Sequence, residues 1–164
     1  MRMNTKKLAM MGLFTALAMI FGYVEAILPI AIGIPGVKLG LANLVVVFAL
    51  YRLKAPEALL INIVRIVLVS FMFGNLSMMI YSLAGGILSF GVMALLKSSG
   101  KFSIYGVSVA GGVFHNVGQL VVAMIALETM SMVYYGPVLL ISGLVTGLLI
   151  GITAKEVLKR IGNV

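Results

Sequence analysis

The sequence predicts an all-α integral membrane protein, a single bundle of six transmembrane helices with both termini in the cytoplasm. Three observations carry that expectation. The composition is too apolar for water: 62% of the 164 residues are hydrophobic and 10% charged, with a mean hydropathy of +1.21, where a soluble domain carries about 25% charged residues. Apolar stretches recur at the length a bilayer demands, about 20 residues for a core roughly 30 Å thick. Basic residues fall on alternate connections between those stretches. Six spans use up almost the whole chain, so residues 1–164 are expected to form one membrane domain with no soluble part.

The first span, 8–28, follows Arg2, Lys6 and Lys7 and ends at Pro29. A signal peptide with cleavage near Val24-Glu25-Ala26 is the competing reading, but the run is long for an h-region of about 7–15 residues, and Glu25 fits poorly there. The connection up to Gly40 holds Gly33, Pro35 and Gly36, residues that set turns and interrupt helices. A second span, 41–53, is short for a crossing: it is tilted into a thin region, or it begins within the membrane from a partly re-entrant loop. The third, 55–73, has Pro56 in its first turn, where a missing N–H is harmless. Gly74-Asn75-Leu76-Ser77 returns the chain into the fourth, 78–96, and residues 97–103 make the clearest polar break. The fifth covers 104–127 and the sixth 132–154, separated by Glu128-Thr129-Met130-Ser131, and a basic tail, 155–164, ends the chain.

Lysine and arginine concentrate on the cytoplasmic side of membrane proteins. With loops assigned to alternate sides, Arg2, Lys6, Lys7, Arg52, Lys54, Lys97, Lys101, Lys155, Lys159 and Arg160 share one face, ten of the 12 basic residues. Lys38 alone takes the other, and Arg65 lies inside a span. Tyr51 and Tyr105 fall near inner span ends and Tyr23, Tyr81, Tyr134 and Tyr135 near outer ones, as interfacial anchors do. The net charge of +8 is therefore read as topology, and no nucleic-acid partner is expected.

Small residues four apart let helix backbones approach closely. Gly143, Gly147 and Gly151 form such a stripe on the sixth span, where an intramolecular contact is the plainer reading than a dimer face. Ala9, Gly12 and Ala16 lie on one face of the first span, and Ser82 and Gly86 lie beside Gly85 and Ser89 on the fourth. Either set could meet a partner subunit. The 12 methionines cluster in apolar spans, where a flexible thioether fills gaps.

Ionisable groups at membrane depth are costly and face a protected interior or a watery cavity. Arg65 lies midway along the third span, with Asn62 one turn earlier, too deep to reach either interface. Two readings stand for it: a contact to an anion or carbonyl in a cavity, or a tether to backbone carbonyls or a glutamate. In the fifth span His115, Asn116 and Gln119 lie together, His115 and Gln119 on one face by their spacing of four. They line a ligand pocket or bridge packed helices. At the outer side Glu25 ends the first span, and the run Pro35-Gly36-Val37-Lys38-Leu39-Gly40-Leu41-Ala42-Asn43 brings in Lys38 and Asn43. Lys38, placed against the orientation rule, has a local task, or it pairs with Glu25 or water to little effect. A site lined by Lys38, Arg65 and His115, with Glu25, Asn43, Asn116 and Gln119 around it, favours a small anionic or strongly polar molecule.

Enzymatic readings fail on residues. The four acidic residues are Glu25, Glu57, Glu128 and Glu156, so the aspartate-rich, magnesium-binding motifs of prenyl synthases have nothing to build on. With no cysteine and one histidine, no thiol catalysis and no metal site are expected. Gly100-Lys101-Phe102-Ser103 resembles part of a phosphate loop, yet Leu95 stands where its first glycine belongs and Phe102 where the magnesium-binding hydroxyl belongs. No serine sits in a nucleophile elbow beside His115. The expectation is a protein that is not an enzyme and needs no cofactor.

This layout resembles the substrate-binding S components of energy-coupling factor (ECF) transporters: six short spans, cytoplasmic termini, a small-residue face on the first helix and a glycine-proline-rich outer loop before the second. More narrowly, Pro-Gly-x-Lys-Leu-Gly-Leu-Ala-Asn at 35–43 looks like the Gx transporter family, whose members are often labelled heptaprenyl diphosphate synthase component I. The resemblance implies that Ala9, Gly12 and Ala16 meet a membrane coupling subunit, with glycine replacing one alanine of an AxxxA-type face. It also implies a ligand site near the outer leaflet and separate ATPase subunits that drive uptake. The expected function is capture of a small vitamin-like or isoprenoid-related molecule by a subunit embedded in the lipid bilayer. The alternative is a noncatalytic membrane accessory protein of isoprenoid or quinone biosynthesis, holding a polyprenyl diphosphate or a partner enzyme.

Overall fold

Helices α1 (Thr5–Ile27), α2 (Leu41–Arg52), α3 (Ala55–Phe73), α4 (Leu76–Ser98), α5 (Ile104–Ala126) and α6 (Gly136–Ile161) follow one another, with a 3₁₀ turn at Met130–Tyr135 before the last. They are seen in a computed structural model that describes residues 5–27 and 40–161. Lys38 and most of the connection that precedes α2 lie outside the described residues. Among the described residues all regular structure is helical, and five helices, α1 and α3 to α6, are long and apolar enough to cross a membrane. The chain is a multi-pass membrane protein. Its outward side chains agree: Leu13, Phe71, Leu95 and Ile125 are each more than 60% exposed, a surface suited to lipid tails and a liability in water.

Local chemistry sets the ends of several helices. Asn75 caps α4 by accepting the Met78 N–H at 2.8 Å, and Ser103 caps α5 by accepting that of Gly106 at 3.3 Å, each satisfying a donor that the first helical turn leaves open. Pro56 sits in the first turn of α3, and Glu57 accepts the Lys54 N–H at 3.2 Å while pairing with Lys7 of α1.

The second span, expected to be short, is a helix enclosed in the core. The 12 residues of α2 rise about 18 Å, well short of a hydrocarbon core of roughly 30 Å. Ala42, Val45, Val46, Val47, Ala49 and Leu50 are buried, and α1, α3 and α6 pack around them. A helix apolar on every side belongs in such a place. Asn43, in the first turn of α2, bonds to Arg65 in the middle of α3, so α2 starts at mid-depth and occupies only one half of the bundle. Phe14 and Phe48 close the α1–α2 contact edge to face, with ring centroids 5.3 Å apart.

The small residues of α4 and α6 act within the chain. A Cβ on Gly147 would lie 2.7 Å from the Cα of Val109, and one on Gly143 2.8 Å from the carbonyl oxygen of Gly112, so α5 and α6 touch backbone to backbone. The small residues of α4, open in the sequence to a partner subunit, are taken up internally: Gly85 packs on α5 beside His115, and Gly86 faces Asn62 and Ile66 of α3.

The sixth span, expected at 132–154, lies within a longer helical stretch, Met130–Ile161. The 3₁₀ turn occupies its first residues, α6 starts at Gly136 with Pro137 in its first turn, and the helix continues to Ile161 through most of the basic tail. Leu158, 1% exposed, anchors that extension in the core, and Lys159 and Arg160 in the last turn suit the negative end of the helix dipole. Arg52 donates to the Ile161 carbonyl, Lys97 to the Leu50 carbonyl, and Lys155 lies over the Tyr105 ring. These contacts gather basic residues of three helices, α2, α4 and α6, at one end of the bundle.

Candidate functional site

The short α2 leaves space above its N-terminus. There α1, α3, α4, α5 and α6 enclose a cavity of about 330 Å³ at the end of the bundle opposite the basic residues. It is at the lower end of the roughly 300–1,000 Å³ typical of small-molecule sites.

Arg65 forms the polar floor. Its Nε and Nη2 donate to the side-chain oxygen of Asn62 at 3.1 and 2.9 Å, and Nη2 also donates to that of Asn43 at 2.7 Å. Asn62 in turn donates to the Gly86 carbonyl at 3.1 Å. Three helices thus meet in one chain of hydrogen bonds, all but its cavity edge buried. The i, i+3 spacing puts Asn62 under the guanidinium on the same face of α3. Arg65 is therefore tethered, to two asparagines rather than to the backbone carbonyls or glutamate expected, and it still lines the cavity.

Glu25 approaches from α1. Its Oε1 accepts the Leu41 N–H at 2.9 Å, which puts a carboxylate at the positive end of α2. The backbone reaches that position through Gly40, held at φ +73°, where glycine carries no Cβ penalty. Glu25 is the carboxylate whose charge acts on Arg65, but the two are not in ion-pair contact.

The α5 wall supplies His115, Asn116 and Gln119. Gly85 makes room for two of them: a Cβ there would lie 3.2 Å from the His115 ring and 3.0 Å from the Gln119 side chain. The Asn116 amide donates to the Leu139 carbonyl at 2.6 Å, so this residue bridges α5 to α6 while bordering the cavity.

Of the residues singled out in the sequence, Glu25, Asn43, Arg65, His115, Asn116 and Gln119 come together at this one cavity, and Lys38 lies outside the described residues. Ser70, Ser82 and Thr146 also line it and were missed as site residues. Their signal was weak, since single hydroxyls are common in membrane helices, and Ser82 and Thr146 stand on α4 and α6, away from the helices that carry Arg65 and His115. The site offers a fixed cation, a carboxylate and several neutral donors and acceptors. Among the described residues no three His, Asp or Glu side chains cluster.

Away from the cavity, Ala9, Gly12 and Ala16 form an exposed face on α1, and a Cβ on Gly12 would meet nothing within 4 Å.

Residues 14–157 match the family model described as heptaprenyl diphosphate synthase component I. No curated protein and no solved structure matches the chain.

Proposed function

Because this chain belongs to the heptaprenyl diphosphate synthase component I family, a fact that leaves its activity open, we propose that it is a membrane substrate-binding subunit. In this reading it is not an enzyme: it receives a small polar or anionic molecule in the cavity above α2 and works with a coupling subunit and ATPase subunits of the ECF type. The observation that carries the reading is the Arg65 guanidinium, buried in a membrane helix, held by Asn43 and Asn62, and bordering a cavity of about 330 Å³. A charge kept at membrane depth is a functional candidate by default. The exposed Ala9–Gly12–Ala16 face supports docking to a membrane partner, because small residues allow a second helix to approach closely. The proposed topology has both termini cytoplasmic and six crossings, the short α2 among them.

A second reading, a noncatalytic accessory of polyprenyl diphosphate synthesis, is favoured by the description of the family. The cavity is small for a polyprenyl chain, which weighs towards the first. Gentle purification from native membranes, followed by native mass spectrometry and identification of copurifying proteins, separates the two. A small bound molecule with a coupling subunit and ATPases is expected; a polyprenyl synthase subunit recovered without them would favour the accessory role.

A further inference from the structure

We propose that the ligand of this cavity is a small zwitterion, its anionic oxygens held by Nη1 of Arg65 and its protonated amine by Glu25. The proposal rests on the reading of the cavity as a binding site and names the chemical class it takes.

The geometry of the two charges carries it. Arg65 uses Nε and Nη2 on the asparagine oxygens, and among the described residues Nη1 donates to none. The same bonds that occupy two nitrogens fix the plane of the guanidinium, so the third is presented without further loss of side-chain freedom. At the same cavity, Glu25 uses Oε1 to cap α2, and among the described residues its Oε2 accepts no hydrogen bond. No lysine or arginine of the described residues is in ion-pair contact with that carboxylate, Arg65 included.

A cation and an anion therefore border one cavity without ion-pair contact between them, in surroundings where charge left without a close partner is expensive. Ligand charge is constrained in turn. A simple anion would pair with Arg65 but bring negative charge up to Glu25, and a simple cation would meet the reverse conflict. A molecule carrying both signs matches both walls and enters with no net charge. It must also be small, because a cavity of about 330 Å³ stands at the lower end of small-molecule sites. Gln119, Ser70 and Ser82 supply the neutral hydrogen-bonding groups that would discriminate among such molecules.

The test uses the full chain in detergent and a series of ω-amino carboxylates from glycine to 6-aminohexanoate. Each is compared with its N-acetyl derivative, its methyl ester and the unsubstituted carboxylate of equal length, and binding is measured by calorimetry. At least one amino carboxylate should bind, and removing either charge should weaken it about tenfold or more, the loss of one charge-assisted contact. Glu25→Gln keeps a side-chain oxygen for the Leu41 N–H. It should abolish the preference for the free amine over the N-acetyl form, with no loss of affinity for the plain carboxylate. Plain carboxylates that bind as tightly as amino carboxylates, and weaken in Arg65→Met, would overturn the zwitterion while leaving an anion-binding cavity. Absence of binding by every probe, together with purified protein that carries no small molecule, would overturn both.

Discussion

Asn43 and Arg65, 22 residues apart in the chain, are joined by a 2.7 Å hydrogen bond from the guanidinium to the asparagine oxygen. The bond fixes where α2 begins: its first turn is held at mid-depth against the middle of α3, and the space left above it is the cavity. Asn62 extends the connection to α4 through the Gly86 carbonyl. One buried polar chain thus sets both the shape of the site and the position of its charge.

Asn62 should matter more to stability than an ordinary interhelical hydrogen bond. Asn62→Leu removes the acceptor for two guanidinium nitrogens and the donor to Gly86, a loss on the order of 2–3 kcal/mol, since hydrogen bonds to charged groups are the strong ones. Ser89→Ala breaks a 2.8 Å bond to the Gly111 carbonyl, where neutral bonds between membrane helices average about 0.6 kcal/mol. Unfolding of both variants in detergent should give a clearly larger drop for Asn62→Leu; equal drops would mean that the arginine network adds nothing to the fold.

The end of α6 should behave as part of the core. Leu158 is 1% exposed although it lies in the basic tail, and Leu158→Ala should destabilise by about 2 kcal/mol or more, the usual cost of emptying a packed leucine site. Lys159→Ala should change little, because its side chain is exposed. Equal melting temperatures for Leu158→Ala and the parent would return these residues to a loose tail.

Much of this was legible in the sequence, and the limits have physical causes. The five long helices follow from apolar runs bounded by Pro56, Asn75 and Ser103, whose preferences act locally. The surroundings of α2 were not legible, since nothing in a largely apolar run of 12 residues says what encloses it, and only the packing of α1, α3 and α6 around it shows that. The extent of α6 was hidden by Lys155, Lys159 and Arg160, which mask the apolar face of Ala154 and Leu158. In the site, rare residues were readable: Arg65, His115 and Glu25 stand out because charge and imidazole are unusual at membrane depth. Asn43 as a holder of Arg65 was not, because that bond joins α2 to α3 through a depth match that spacing along either helix does not contain, whereas Asn62 lies one turn before Arg65 on α3 itself.

Topology can be tested directly because the chain contains no cysteine. Ser98→Cys, in the exposed last turn of α4, and Met130→Cys, 79% exposed in the 3₁₀ turn, place single thiols at opposite ends of the bundle. In right-side-out vesicles an impermeant maleimide should label the thiol at 130 and spare the one at 98 until the membrane is opened. The reverse pattern would invert the orientation inferred from the basic residues.

The last prediction contrasts two glycines in opposite surroundings. A side chain at Gly147 would meet backbone, with its Cβ 2.7 Å from the Val109 Cα and 2.8 Å from the Ser108 carbonyl oxygen, and backbone cannot yield without moving α5 away from α6. Gly147→Leu should therefore lower the melting temperature of the isolated protein or prevent its folding, overpacking of this kind typically costing about 1–3 kcal/mol or more. At Gly12 the same substitution meets nothing within 4 Å, and leucine is a good helix former, so the isolated protein should melt at or above the parent temperature. If α1 is a docking face, Gly12→Leu should instead reduce recovery of a membrane coupling subunit on copurification while ligand binding by the isolated chain is retained. Gly12→Ala, which adds only a methyl group, should keep both. Unimpaired recovery with Gly12→Leu and also with Ala16→Leu would leave this face to lipid alone and remove the support it gives to the transporter reading, whereas destabilisation by Gly147→Leu depends only on the α5–α6 contact.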